Sequence, residues 1–309
     1  MPDASEQAAV LALVAAAPLA WHWAGALIEE AGGARRLLAG DLRSLAWHHR
    51  ADAEALARAA GPEQISRCAE LAAGLAARGT SLVTVLDDGY PADLHAAYDR
   101  PPFLFVRGVP PAPGGRVVAI AGAADAAPQD VERASGLADA LGRRGVTVVA
   151  APRTASGRAA LAAAVEAGGP AVAVLDAGID HPERLPEGLE PALDGRCAMV
   201  SPCWPDAAPE PASELHAAVL SGLAMATVVV DGGEDSPVPL QARRCLDQGR
   251  RLLLLSPLVL RRSWAKQYAA HPGVLVVDGV EAVLAAVAAI ARQRAGTAGD
   301  AAALTARRR

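Results

Sequence analysis

The stretch Asp87–Gly122, DDGYPADLHAAYDRPPFLFVRGVPPAPGGRVVAIAG, decides how this chain is read. Tyr90-Pro91 forms a turn that opens a short helix, because proline suits the first turn of a helix and not its interior. Pro101-Pro102 breaks the chain. Phe103–Arg107 then reads as a strand, and a glycine-rich turn around Gly114-Gly115 leads into Val117–Ala121. That last run is apolar at every position and ends at Gly122, as expected of a strand buried on both faces.

Working outward from it, apolar runs alternate with helical patterns from about residue 81 onward. Strands are predicted at Ser81–Leu86, Phe103–Val106, Val117–Ala121, Val146–Ala150, Ala171–Leu175, Cys197–Ser201, Thr227–Val230, Leu252–Leu255 and Val274–Val277. Helices are predicted over 126–143, 156–167, 210–223, 236–248 and 279–292. This alternation is that of a parallel sheet covered by helices on both faces. After Arg292 the tail RAGTAGDAAALTARRR lacks apolar periodicity and reads as disordered.

Ahead of the strands, residues 1–80 read as helices only. Ser5 is a candidate cap, Pro18 starts a second helix that closes at Gly32-Gly33, Asp41 and Asp52 are candidate caps, and Pro62 opens a helix to Arg78. Trp21-His22-Trp23 and Trp47-His48-His49 read as indoles packed against the strand-containing part.

Composition bounds the function. The chain has 309 residues, 52% of them hydrophobic and only 3% aromatic, so its core is built from Ala, Val and Leu with close packing on small residues. Its formal net charge of -5 argues against a globally basic nucleic-acid binder and leaves room for a local basic patch. All but Lys266 of the 29 basic residues are arginine, and Lys266 lies in no glycine-rich loop, which excludes a P-loop lysine. Cys68, Cys197, Cys203 and Cys245 form no CxxC pair, so no zinc knuckle is implied and the thiols are expected reduced. Val10–Ala20 lacks the basic leader of a signal peptide, and no apolar run approaches a membrane span. A cytoplasmic protein is expected.

The candidate chemistry gathers at strand ends. The turn Gly122-Ala123-Ala124-Asp125 follows the central strand, where open parallel sheets bind ligands and where a helix N-terminus favours phosphate. Asp176, Asp180, His181 and Glu183 follow another strand. Glu234-Asp235-Ser236 reads as a helix cap. Trp204, Trp264 and Tyr268 read as core or edge residues.

The order of Tyr-Pro turn, Pro-Pro break, strand, glycine-rich turn and buried strand resembles the entrance to the Rossmann-like domain of the DNA-processing protein A (DprA/Smf) family. The resemblance covers about residues 80–290. It implies a Rossmann-like, doubly wound, mostly parallel α/β sheet over 81–292, preceded by a small all-α domain of helix-hairpin-helix or SAM-like type over 1–80 and followed by a tail at 293–309. The family's Gly-Ser-Arg triplet maps to Gly122, Ala123 and Ala124. Its Ser-Gly-x-Ala-x-Gly-Ile-Asp segment maps to Ala150–Gly157, where Arg153 or Arg158 stands in for the lost cation. Its Arg-Asn-Arg maps to His216, Ala217 and Ala218. Ser236 keeps one position of a Ser-Gly-Ser loop, Arg243 and Arg244 sit on the helix after it, and Gly249-Arg250 ahead of an apolar strand also matches.

By this resemblance the protein binds single-stranded DNA, assists loading of the RecA recombinase in DNA uptake and recombination (natural transformation), forms a homodimer, and needs neither catalysis nor a cofactor. The candidate contacts are Gly122, Ala123, Arg153, Arg158, His216, Ser236, Arg243, Arg244 and Arg250. Two other readings stay open. One is a nucleotide-sensing Rossmann domain; the related phosphoribohydrolases carry a Pro-Gly-Gly-x-Gly-Thr loop, to which Asp231-Gly232-Gly233-Glu234-Asp235 is only an approach. The other is a degenerate paralogue that no longer binds DNA and acts as an interaction partner.

Overall fold

The computed structural model describes residues 3–17, 20–112, 114–181, 185, 189–193, 195–210 and 213–306. Five helices come first: α1 (Ala4–Ala16), α2 (Trp21–Glu30), α3 (Ala34–Leu38), α4 (Arg50–Ala59) and α5 (Pro62–Ala76). Asp3, rather than Ser5, caps α1, its carboxylate accepting from the Ser5 N–H at 2.9 Å. The expected start at Pro18 lies outside the described residues. Gln7 to Leu13 of α1 are all buried, because α1 packs against α2, α3, α4, α5 and the first strand, β1 (Thr80–Thr84). β1 is an edge strand, and the Gln7 amide donates to its Leu82 carbonyl at 2.9 Å and to Asp87 Oδ2 at 3.0 Å. This covers part of an edge that would otherwise invite pairing with another chain.

The chain then runs α6 (Ala92–His95), β2 (Phe103–Gly108), β3 (Val117–Ala121), α7 (Pro128–Gly142), β4 (Thr147–Ala150), α8 (Ala155–Glu166), β5 (Ala171–Val174), α9 (Leu189–Ala192), β6 (Cys197–Ser201), α10 (Glu214–Gly222) and β7 (Ala226–Val229). It closes with α11 (Val238–Asp247), β8 (Arg251–Leu255), α12 (Ser256–Arg261), α13 (Ser263–Tyr268), β9 (Val274–Val277) and α14 (Gly279–Ala306). The nine strands form one sheet in the order β1-β2-β6-β5-β4-β3-β7-β8-β9. It is parallel from β6 through β9; β2 is antiparallel to both β1 and β6. The expected α/β sheet is therefore present, with helices ahead of it. The periodicity predicts a last helix over 279–292. In the structure α14 spans Gly279–Ala306.

Both faces of the sheet are covered. β3 sends Val118 and Ile120 into a core shared with the N-terminal helices, α7, α8 and α14, and Val117 and Ala119 into a second core under α6 and α10. α7 and α8 approach closely, as a core of small side chains requires: a Cβ on Gly169, just past α8, would stand 2.5 Å from Gly142 Cα. The Tyr-Pro turn is held by the buried Tyr90 hydroxyl, which donates to the Pro101 carbonyl at 2.6 Å. Among the described residues, no helix is long and apolar enough to cross a membrane. The four cysteines are free thiols.

Candidate functional site

Strand order reverses at β3. The chain leaves β3 toward β4, β5 and β6 on one side and returns through α10 to β7 on the other. Loops after β3 and β7 therefore diverge, opening a crevice beyond their carboxyl ends where α/β sheets receive ligands. Gly122 makes this turn possible. A Cβ there would lie 2.5 Å from Ser156 Cβ in the first turn of α8. Thr154 caps that helix, its hydroxyl accepting from the Gly157 N–H at 3.0 Å.

The crevice has two compartments. The first, about 200 Å³, lies between the ends of β3, β4 and β5 and the helices α10 and α11. Its walls are mostly apolar, with Ile120, Ala151, Leu220 and Val238 among them, and its charged lining consists of Arg153 and Asp176. Arg153 Nε stands 3.3 Å from Asp176 Oδ1. His216, in the first turn of α10, donates from Nε2 to the Val174 carbonyl at 3.0 Å, given that a carbonyl can only accept. Burial pushes the His216 pKa down, against the opposing pull of that carbonyl and of Asp176, so the ring is neutral at pH 7 and adds no cation. Ser213 is the N-cap of α10, its hydroxyl facing the His216 backbone N–H at 3.5 Å.

The second compartment, about 490 Å³, lies beyond β3 and β7 against α12 and α13. It is lined by Asp125, Asp130, Asp231, Glu234 and Asp235 and by only two cations, Arg261 and Arg262. Asp130 is fully buried and accepts from Arg261 Nη2 at 3.1 Å on each oxygen, and from Arg133. Arg262 Nη2 lies 3.5 Å from Asp231 Oδ1. The Ser236 hydroxyl donates to the Gly233 carbonyl at 2.7 Å, holding the loop after β7, and the Trp264 indole N–H donates to the Gly232 carbonyl at 3.0 Å. Carboxylates thus outnumber guanidiniums here, which disfavours phosphate in this compartment. Among the described residues, no cluster of three or more His, Cys, Asp or Glu is placed to hold a metal ion.

The structure brings together Gly122, Arg153 and His216 in the first compartment and Ala123 and Ser236 in the second. Arg158 lies in the first turn of α8 and lines neither compartment, its Nη1 donating to the Pro152 carbonyl at 3.2 Å. The other candidates do not converge there, which corrects the expected cluster. Arg250 precedes β8, at the amino ends of the parallel strands, where it pairs with Asp93 at 3.6 Å. Arg243 pairs with Glu214 at 3.1 Å, and Arg244 with Asp99 at 3.6 Å and with Glu214. Arg244 also donates to the Tyr98 hydroxyl at 2.7 Å.

Asp176 faces the crevice as expected, whereas Asp180 is taken by Arg78 at 2.7 Å and Glu183 lies outside the described residues. The sequence reading missed Asp130, Arg261 and Arg262. The signal for the arginines was Pro257, a helix-opening residue inside the apolar run LLLLSPLVLRRSW. Trp47, expected to pack, is 83% exposed; Trp23 packs edge-on to His49 and donates to Asp52 at 3.0 Å.

A family model described as DNA recombination-mediator protein A matches residues 81–288. Among solved structures, the chain is similar to DNA processing protein A from Streptococcus pneumoniae, with 18% identity and a TM-score of 0.59, covering 85% of this chain and 97% of that one. It is also similar to DNA processing protein A from Helicobacter pylori, whose structure is described for its single-stranded DNA binding mode, with 14% identity and a TM-score of 0.55, covering 65% of this chain and 92% of that one. No curated protein matches the sequence.

Proposed function

Because the chain belongs to the DNA recombination-mediator protein A family, we propose that it handles single-stranded DNA in recombination during DNA uptake, by binding and without catalysis. The strand enters the crevice at β3, one unstacked base occupying the apolar first compartment while the backbone passes Arg153 and Arg158. The observation that carries this reading is the apolar compartment of about 200 Å³ at the strand-order switch, with Arg153 at its lining. Stacking and apolar contact with a base supply affinity that does not depend on phosphate neutralisation. A role in loading the RecA recombinase, a homodimeric state and a cytoplasmic location complete the proposal. The test is anisotropy of a labelled single-stranded oligonucleotide titrated with the full chain at low salt. Saturable binding is expected, and its complete absence defeats the reading.

A second reading, a paralogue that has given up DNA and acts as an interaction partner, is favoured by one observation. Three guanidiniums at the mouth already face carboxylates: Arg153 with Asp176, Arg261 with Asp130, and Arg262 with Asp231. It predicts a defined protein complex and no response to oligonucleotide.

A further inference from the structure

Among the described residues, two polar atoms in the first compartment, Gln241 Nε2 and Asp176 Oδ1, make no hydrogen bond. Gln241 of α11 is 8% exposed and lines the crevice, and its Nε2 meets no acceptor. Asp176, after β5, lines the same compartment; its Oδ1 is buried and accepts no hydrogen bond, Arg153 Nε being 3.3 Å away but off-axis. Buried polar atoms in native proteins almost always make a hydrogen bond, so a donor without one and a carboxylate oxygen held only by a misaligned ion pair, both in one crevice, point to a ligand with the complementary pattern. The remaining lining is mostly apolar, with His216 neutral, so the ligand is a flat, largely apolar ring with a polar edge.

We propose that this compartment recognises a guanine base. Guanine is the one common DNA base that offers two adjacent donors, N1–H and the 2-amino group, and a single carboxylate can accept both. It also offers two adjacent acceptors, O6 and N7, the pair that arginine takes bidentately. Asp176 accepts from N1 and the 2-amino group. Gln241 Nε2 and Arg153 donate to O6 and N7. Adenine and cytosine have one amino donor for the carboxylate, and thymine one imide N–H. Ile120, Leu220 and Val238 supply the apolar walls for the ring. The assignment rests on reading the crevice as a base-binding site and adds to it the residues that set specificity.

The test uses the full chain and two independent probes. Deoxyguanosine, deoxyinosine, deoxyadenosine, deoxycytidine and thymidine are titrated separately by calorimetry and thermal shift. Labelled thymine oligonucleotides carrying one central guanine, hypoxanthine or adenine are compared by anisotropy. Deoxyguanosine is expected to bind and to raise the melting temperature, with deoxyinosine, which lacks only the 2-amino group, about tenfold weaker. Asp176→Asn is expected to abolish that difference, and Gln241→Leu to weaken deoxyguanosine while keeping its advantage over deoxyinosine. The deoxyguanosine–deoxyinosine contrast needs no variant, so a misfolded mutant does not block it. Equal binding of all five nucleosides, or binding of none, overturns the guanine assignment. Oligonucleotides bound without base preference overturn it while leaving DNA binding intact. Deoxyguanosine bound by a chain that ignores every oligonucleotide supports it and defeats the DNA reading.

Discussion

Arg153 Nε stands 3.3 Å from Asp176 Oδ1, yet the two are not aligned for a hydrogen bond. The pair is close enough for the carboxylate to cancel much of the guanidinium's pull on a phosphate, and too poorly aligned to be held firmly. Asp176→Asn therefore unmasks Arg153. The variant is expected to bind an all-thymine oligonucleotide several-fold more tightly than the parent, because Arg153 then meets its phosphate without a carboxylate competing for it. Anisotropy at two salt concentrations checks this, and equal affinity of the two proteins counts against Arg153 as a contact.

The turn at Gly122 is fixed by close approach. A methyl group there would meet Ser156 Cβ and Oγ at 2.5 Å, and the Cβ cannot move aside without its backbone. Gly122→Ala must push the first turn of α8 away from β3. Overpacking of this kind costs about 1–3 kcal/mol. A lower urea midpoint with weakened oligonucleotide binding is expected; an unchanged midpoint would show that α8 yields freely.

Asp130 ties α7 to α12 by holding Arg261, and it also holds Arg133 of its own helix. The carboxylate is buried, but the arginines are more than a third exposed and regain water when it is removed. The loss is thus smaller than for a fully buried pair, about 2 kcal/mol for Asp130→Ala. Urea unfolding measures it, and a change below about 0.5 kcal/mol, as for an ordinary surface site, would place the α12 anchor elsewhere.

Burial pushes the Cys203 and Cys245 thiols from 9.0 up to about 11, and moves Cys68 and Cys197 in the same direction. Tyr90 is shifted well upward for the same reason. A raised folded pKa means the folded chain holds protons that the unfolded chain releases. This contribution is present in full below about pH 9 and is lost as the pH climbs toward about 11. The urea midpoint is expected to fall between about pH 8.5 and 10.5. Iodoacetamide at pH 8 should leave the native thiols largely unmodified and react once urea unfolds them. Rapid native alkylation would contradict the burial of these groups.

Much of the sheet was legible because apolar runs such as Val117–Ala121 and Cys197–Ser201 are long, pure and bounded by turns, and their ends fall where expected. The mouth was legible as a place, through Gly122 at the end of the central strand. Its charge was not. Arg243, Arg244 and Arg250 carry family-like positions, but partners distant in sequence claim them: Glu214, Asp99 and Asp93. Periodicity cannot reveal such pairings, since each joins residues brought together only by the fold. α12 and α13 were missed because an apolar strand runs directly into an apolar helix, and without them Arg261 and Arg262 could not be placed at the crevice. Ser236 reads as a cap from sequence, and in the structure its side chain does hold the loop that opens α11.

In the proposed function, single-stranded DNA meets this chain at the crevice beyond β3, through a base and few phosphates. The most direct measurement is the salt dependence of oligonucleotide affinity for the parent chain and for Arg153→Ala. With Arg153 and Arg158 as the phosphate contacts, the log–log slope should be about −1.4 for the parent and about −0.7 for the variant. A steep slope that Arg153→Ala leaves unchanged would put the strand on some other surface of the chain.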